Sequence, residues 1–215
     1  MTFDAHALAD VLRALSATYG PQHWWPAESP FEIAAGAVLV QRTAWHNAAL
    51  AVDAMKRRGL LDPAALAEVE PKLLARVIRP AGFAAAKADY LRNVAAWFRD
   101  NGGVEGLRER RTETLRADLL AVRGIGPETA DSILLYLFDR PVWIVDAYSR
   151  RVLERLTGFD HDARRQRMLL GPWIDSGRLR DLQELHALFV EHGKRHCRVQ
   201  ARCAGCPLRA TCLHA

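Results

Sequence analysis

Nearly every segment of this chain repeats its apolar residues at intervals of three and four, a pattern that only helices packed on helices can bury. Leu8, Val11, Leu12 and Leu15 stand at i, i+3, i+4 and i+7, laying one stripe along a first helix that Gly20 closes. Ser29 and Pro30 supply an N-cap and a first-turn proline for a second helix, running from Phe31 to about Gln41. The same periodicity predicts helices from Trp45 to Arg58, Pro63 to Val69, Pro71 to Ile78, Ala84 to Arg99, Thr112 to Val122 and Pro127 to Phe138. Two more are predicted from Asp146 to Leu156 and from Leu182 to His192. Only Pro141 to Val145 alternates with period two, and it is too short to start a sheet. The expected fold class is all-α.

At 215 residues, half of them hydrophobic, the chain forms one large domain or two small ones and buries its own core. Its longest apolar runs, such as Ile33 to Val40, fall far short of the roughly 18 residues of a membrane span. No membrane partner is expected. The first ten residues carry acids where a secretory signal carries bases, which makes the cytoplasm the expected compartment. No solenoid repeat or low-complexity tract is present. The net charge of +5 rests on 26 Arg and four Lys. Guanidinium suits bidentate contact with phosphate, although an Arg-rich solvated surface has the same composition. With so few lysines, chemistry through an amine nucleophile has few candidates.

All four cysteines crowd into the last nineteen residues as Cys197, Cys203, Cys206 and Cys212, spaced C-x5-C-x2-C-x5-C. Disulfides are out of place in a cytoplasmic protein and would staple the tail only to itself. A four-thiolate metal site explains the clustering better, with an iron–sulfur cluster or zinc as occupant. Structural zinc pairs two short knuckles, whereas here one short knuckle sits between wide spacings, which favours iron–sulfur. Lys194, Arg195, Arg198, Arg202 and Arg209 make this tail basic.

Between two predicted helices lies Arg123-Gly124-Ile125-Gly126-Pro127-Glu128-Thr129. Glycines at such a junction allow a tight turn and bare the N-terminus of the next helix, an anion site by construction, though a plain helical turn has the same residues. Downstream, Val142-Trp-Ile-Val-Asp146 sets a carboxylate at the end of an apolar run. A lone Asp there is most simply an N-cap. Its burial costs several kcal/mol unless something uses the charge, on the order given for isolated carboxylates.

Taken together, the hairpin, the following Val145-Asp146, Arg151 and the terminal cysteines resemble the endonuclease III branch of the helix–hairpin–helix DNA glycosylase superfamily. The resemblance extends to Val38-Leu-Val-Gln41-Arg-Thr43, similar to the family's L-x-x-Q-x-T, and to Gly82-Phe83 followed by Lys87-Ala88. It implies damaged double-stranded DNA as partner, a [4Fe-4S] cluster on Cys197, Cys203, Cys206 and Cys212, and a monomer. The first cysteine spacing is one residue shorter than the family's usual C-x6-C. It further implies that Gln41 fills the hole left by a flipped base, that Gly124, Ile125, Gly126 and Thr129 grip phosphate, and that Asp146 is the catalytic carboxylate. Two lobes follow, residues 21–137 with the hairpin and residues 1–20 plus 138–215 with the cluster, with DNA across the cleft they form.

Bifunctional members carry a Schiff-base lysine two residues after the second hairpin glycine, where this chain has Glu128. A carboxylate cannot form an imine, so the resemblance implies a monofunctional enzyme that activates water. Glu128 either shares general-base work or balances Arg123. His23-Trp24-Trp25-Pro26 and Trp45 resemble the 3-methyladenine DNA glycosylase subgroup, where aromatic faces hold a cationic alkylated purine. Paired tryptophans before a helix also serve as core anchors. Lys194, ahead of the first cysteine, is a further candidate for that pocket. The rival readings are a lyase on oxidised pyrimidines using a displaced lysine, and a non-catalytic lesion-binding protein.

Overall fold

The computed structural model describes residues 3–215, and among them there is no strand. The chain is all-α, and among the described residues no helix is long and apolar enough to cross a membrane. It clusters into two compact units, one made of the residues up to Trp24 with Asp139–Ala215, the other of Trp25–Phe138. Helix α1 (Ala5–Tyr19) belongs to the first of these. The second holds α2 (Pro30–Leu39), α3 (Trp45–Lys56), α4 (Pro63–Glu68), α5 (Pro71–Val77), α6 (Ala84–Asp100), α7 (Gly103–Arg108), α8 (Thr112–Ala121) and α9 (Pro127–Tyr136). The chain then returns to the first unit with α10 (Ala147–Thr157), α11 (Ala163–Asp175) and α12 (Leu179–Arg195).

In the Trp25–Phe138 unit two helices are buried nearly all round, as a central position requires. Helix α2 hides Phe31 and Ala34 through Leu39, and α9 hides every residue from Thr129 to Tyr136. They pack on each other, with α3 and α6 against α2 and α8 against α9. Phe98 of α6 joins the set, edge-on to Phe31 at 5.3 Å and stacked with Phe138 at 6.2 Å. The hairpin helix is therefore anchored in the middle of its unit. Its partner α8 is pinned to it by a two-point ion pair, Arg116 Nε to Asp131 Oδ1 at 2.6 Å and Nη2 to Oδ2 at 3.1 Å.

In the other unit α12 packs on α1, α10 and α11. Trp143, just before α10, is buried edge-on to Phe189 of α12 at 5.9 Å. Two helices have no counterpart in the sequence reading, α7 and α11. Helix α11 buries Gln166, Leu170 and Trp173, a proper i, i+4, i+7 stripe with a polar member. Gln166 is fully buried because its Oε1 accepts from the Trp143 indole at 2.8 Å while its Nε2 donates to the His161 carbonyl at 2.9 Å. That substitution of a satisfied amide for an aliphatic side chain, with Pro172 in the last turns, masks the periodicity. Helix α12 also begins at Leu179 and runs to Arg195, longer at both ends than the apolar pattern marks.

Candidate active site

The hairpin turn needs only one of its two glycines for conformation. Gly124 has φ +99° and a Cβ there would collide with the Tyr90 side chain at 2.2 Å, so both backbone and neighbour demand glycine. Gly126 has φ −91°, open to any residue, and a Cβ there meets nothing within 4 Å. What glycine leaves at 126 is bare space at the start of α9, whose N-terminus no side chain caps. Ile125 is buried and its N–H bonds the Val122 carbonyl at 3.0 Å, so it anchors the turn from inside. Thr129 is also turned inward, accepting the Gln41 amide at 3.0 Å. Glu128 is exposed on the first turn of α9.

Gln41 follows α2 and is held to the hairpin, its Nε2 donating to the Gly124 carbonyl at 3.0 Å as well as to Thr129. In the same unit Trp25 stands edge-on to Trp45 at 5.3 Å and to Tyr136 at 5.6 Å. Gly36 of α2 makes room for it, since a Cβ there would approach the Trp25 ring to 3.2 Å. Trp25, Pro26 and Trp45 border a cleft of about 350 Å³ that Glu28, Glu32 and Asp53 make acidic. Lys56 partly offsets that charge, 2.7 Å from Glu28 and 3.5 Å from Glu32. Phe83, quoted above only as part of the Gly82-Phe83 motif and given no site role there, is 64% exposed at φ +47°.

In the other unit Asp146 does cap a helix, and it does more. Its Oδ1 accepts the Ser149 N–H at 2.6 Å while the Ser149 hydroxyl bonds the Asp146 N–H at 3.0 Å, a reciprocal capping box at the start of α10. Its Oδ2 faces His186 Nε2 on α12 at 3.7 Å, both side chains being buried. Burial pushes the Asp146 carboxyl up, but the facing imidazole and Ser149 more than reverse this and hold it below the usual carboxylate range. The site thus keeps a buried carboxylate charged. His186 is edge-on to Trp24 at 5.9 Å and to Trp143 at 6.2 Å, so it links the carboxylate to an aromatic wall. Lys194, exposed on α12, lies 5.8 Å from the centre of the Trp24 ring. No sequence motif marks His186, which is forty residues from its partner.

The four cysteines are all unpaired thiols and line one small cavity with His192 and Arg155. Among the described residues no three His, Cys, Asp or Glu side chains meet as a single bound ion needs. The tail is fastened from α10. Arg151 donates to the Cys197 carbonyl at 2.7 Å, and Arg155 to the carbonyls of Arg198 and Val199 at 2.6 and 2.8 Å. Burial pushes the Cys197 thiol up, with the Arg155 guanidinium, 3.4 Å from its sulfur, opposing. Cys206 is pushed up by burial and further by Cys212, Cys203 and Cys197, the repulsion expected when thiolates share one cavity. His192 bonds the Tyr19 hydroxyl at 2.9 Å, and burial, with His196 beside it, takes its imidazole down to about 4.

The profile of the HhH-GPD superfamily of base excision DNA repair proteins matches residues 35–171, more than half of the chain. The chain belongs to this superfamily. A protein of Methanocaldococcus jannaschii whose name assigns it as a DNA repair glycosylase is 40% identical over 201 residues, covering 91% of this chain and 90% of that one. Endonuclease III of Sulfolobus acidocaldarius is 30% identical over 157 residues, 73% of this chain and 69% of its own. Among solved structures, 3-methyladenine DNA glycosylase of H. pylori bound to 1,N6-ethenoadenine superposes with a TM-score of 0.75 at 27% identity, over 87% of this chain and 97% of that one. A trapped endonuclease III–DNA covalent intermediate gives 0.78 at 22% identity, over 99% and 97%, a likeness of fold.

Proposed function

We propose that this HhH-GPD protein is a monofunctional DNA glycosylase that flips alkylated purines, 3-methyladenine among them, out of the duplex and excises them with water. The observation that carries the reading is Asp146, a buried carboxylate kept ionised beside His186, whose ring in turn touches Trp24. Breaking an N-glycosidic bond develops positive charge at the sugar C1′. A fixed negative charge in a dry site stabilises that oxocarbenium-like state and can orient or deprotonate the attacking water. A methylated purine is already cationic and leaves readily, so no strong acid is needed at the base. The acidic cleft bordered by Trp25 and Trp45 suits a planar cation.

Imine chemistry lacks a well-placed amine. Glu128 stands at the family's lysine position, Lys87 is committed to two backbone carbonyls, and Lys56 is paired with Glu28 and Glu32. Lys194 is the lysine of the Asp146 unit and the first candidate for a lyase, with the exposed Lys72 of α5 in the other unit. Borohydride trapping on a thymine-glycol duplex tests this. No covalent adduct is expected, and an adduct abolished by Lys194→Met would establish the lyase.

DNA engagement is assigned to Gly124, Gly126 and the bare start of α9 for phosphate, and to Gln41 with the exposed Phe83 for entering the base stack. Cys197, Cys203, Cys206 and Cys212 would hold a [4Fe-4S] cluster. Their all-thiol donor set, ranged around one cavity, fits it, and Arg155 offsets thiolate charge. Such a cluster cross-links a tail that has little core of its own. Yellow-brown protein with iron and sulfide is expected, and colourless zinc-loaded protein would contradict the assignment.

A further inference from the structure

We infer that Lys87 is a positioning residue that clamps the turns carrying Gln41 and Phe83 into one rigid wedge for opening the duplex. The inference rests on the proposed function and adds to it a device that holds the wedge. Lys87, on α6, is 2% exposed, and its ammonium donates to the Leu39 carbonyl at 2.8 Å and the Ala81 carbonyl at 2.7 Å. It makes no ion pair among the described residues, and burial pushes its pKa down. An ammonium buried without a carboxylate is costly, and an aliphatic side chain would fill the same place more cheaply.

What the charge holds is two chain ends. Leu39 is the last residue of α2 and Ala81 the last of the short 3-10 turn Arg79–Ala81, where carbonyls lack helical partners and the dipole is negative. Two residues beyond Leu39 is Gln41, followed by Arg42 at φ +54°. Two residues beyond Ala81 is Phe83 at φ +47°. Left-handed backbone at non-glycine residues persists only where the surroundings impose it. Phe83 is also the N-cap of α6, its carbonyl accepting the backbone N–H of residue 87 at 3.0 Å, a bond that a substitution of the side chain leaves in place. One cation therefore sets the spacing of a polar side chain and an exposed aromatic. Unstacking a base costs a few kcal/mol, roughly, and side chains on loose turns would add the entropy of ordering themselves.

The test uses the full chain and a duplex with a stable tetrahydrofuran abasic analogue opposite 2-aminopurine, whose fluorescence rises when it is unstacked. Lys87→Met keeps the length and loses the donors. At saturating protein we expect its fluorescence rise to be at least fivefold smaller than wild type, with cooperative melting retained. A lysine that merely stabilises the fold would not move the signal at saturation, so a folded variant within twofold of wild type would overturn the inference. Should Lys87→Met fail to fold, Gln41→Ala, Phe83→Ala and their double variant decide. The double loses little more than the worse single if the two act as one wedge, and fully additive losses would overturn it. No rise with wild type would instead overturn the duplex-opening reading on which the inference stands, and the inference with it.

Discussion

Asp146 has two oxygens with two jobs, and the difference can be tested by separating them. Asn caps helices as well as Asp, so Asp146→Asn should melt close to wild type yet lose about 10²- to 10⁴-fold in single-turnover excision. Asp146→Ala should lose the same activity and also about 1 kcal/mol of stability with the cap. The folded carboxyl titrates below its usual value of 3.8, so its stabilisation is fully present above about pH 4 and is lost as pH falls through the folded value. Excision should accordingly show no acid limb from Asp146 near pH 5. Replacing His186 by Gln leaves burial less opposed, and the acid limb of the pH–rate profile should move upward. An unchanged profile would mean that His186 does not act on the carboxylate. The sequence exposes Asp146 because an acid ends an apolar run, but His186 reads as one more residue on an amphipathic helix.

At the scale of elements, the hairpin glycines should part company. Gly124→Ala forces a Cβ into Tyr90 at a left-handed position and should cost at least about 1–3 kcal/mol. Gly126→Ala should be neutral or stabilising by about 0.4–1 kcal/mol. If the proposed phosphate contact is made there, it should nevertheless weaken binding to undamaged duplex, because the added methyl would intrude on it. Melting and fluorescence anisotropy separate the two effects. Breaking the two-point pair with Arg116→Ala removes the charged hydrogen bonds that pin α8 to α9 and should cost about 1.5–3 kcal/mol, loosening the hairpin from behind. Most helices were legible in the apolar period, and the hairpin in its G-x-G. Helix α11 was not, because Gln166 hides inside it behind a hydrogen bond to Trp143 that only the folded chain reveals. Equally, the sequence cannot tell a glycine that the turn requires from one that leaves space.

For the whole molecule, each unit has its own core, and the candidate site residues are shared out. The Trp25–Phe138 unit holds the hairpin, Gln41, Phe83 and the Trp25–Trp45 pair, while the other holds Asp146, His186, Trp24 and the cysteines. Helix α10, capped by Asp146, grips the cysteine tail through Arg151 and Arg155, so the tail and the carboxylate are braced by one helix. Most of this is visible in advance as motifs, while the aromatic and imidazole contacts that join them are not, since they depend on packing and not on spacing. The most direct test is single-turnover release of 3-methyladenine from methylated duplex DNA beside a thymine-glycol duplex, each product divided between alkali and no alkali. Free 3-methyladenine, with strand breaks appearing only after alkali, is the expected result. Breaks at thymine glycol without alkali, or no base release from either duplex, would contradict a water-using alkylpurine glycosylase.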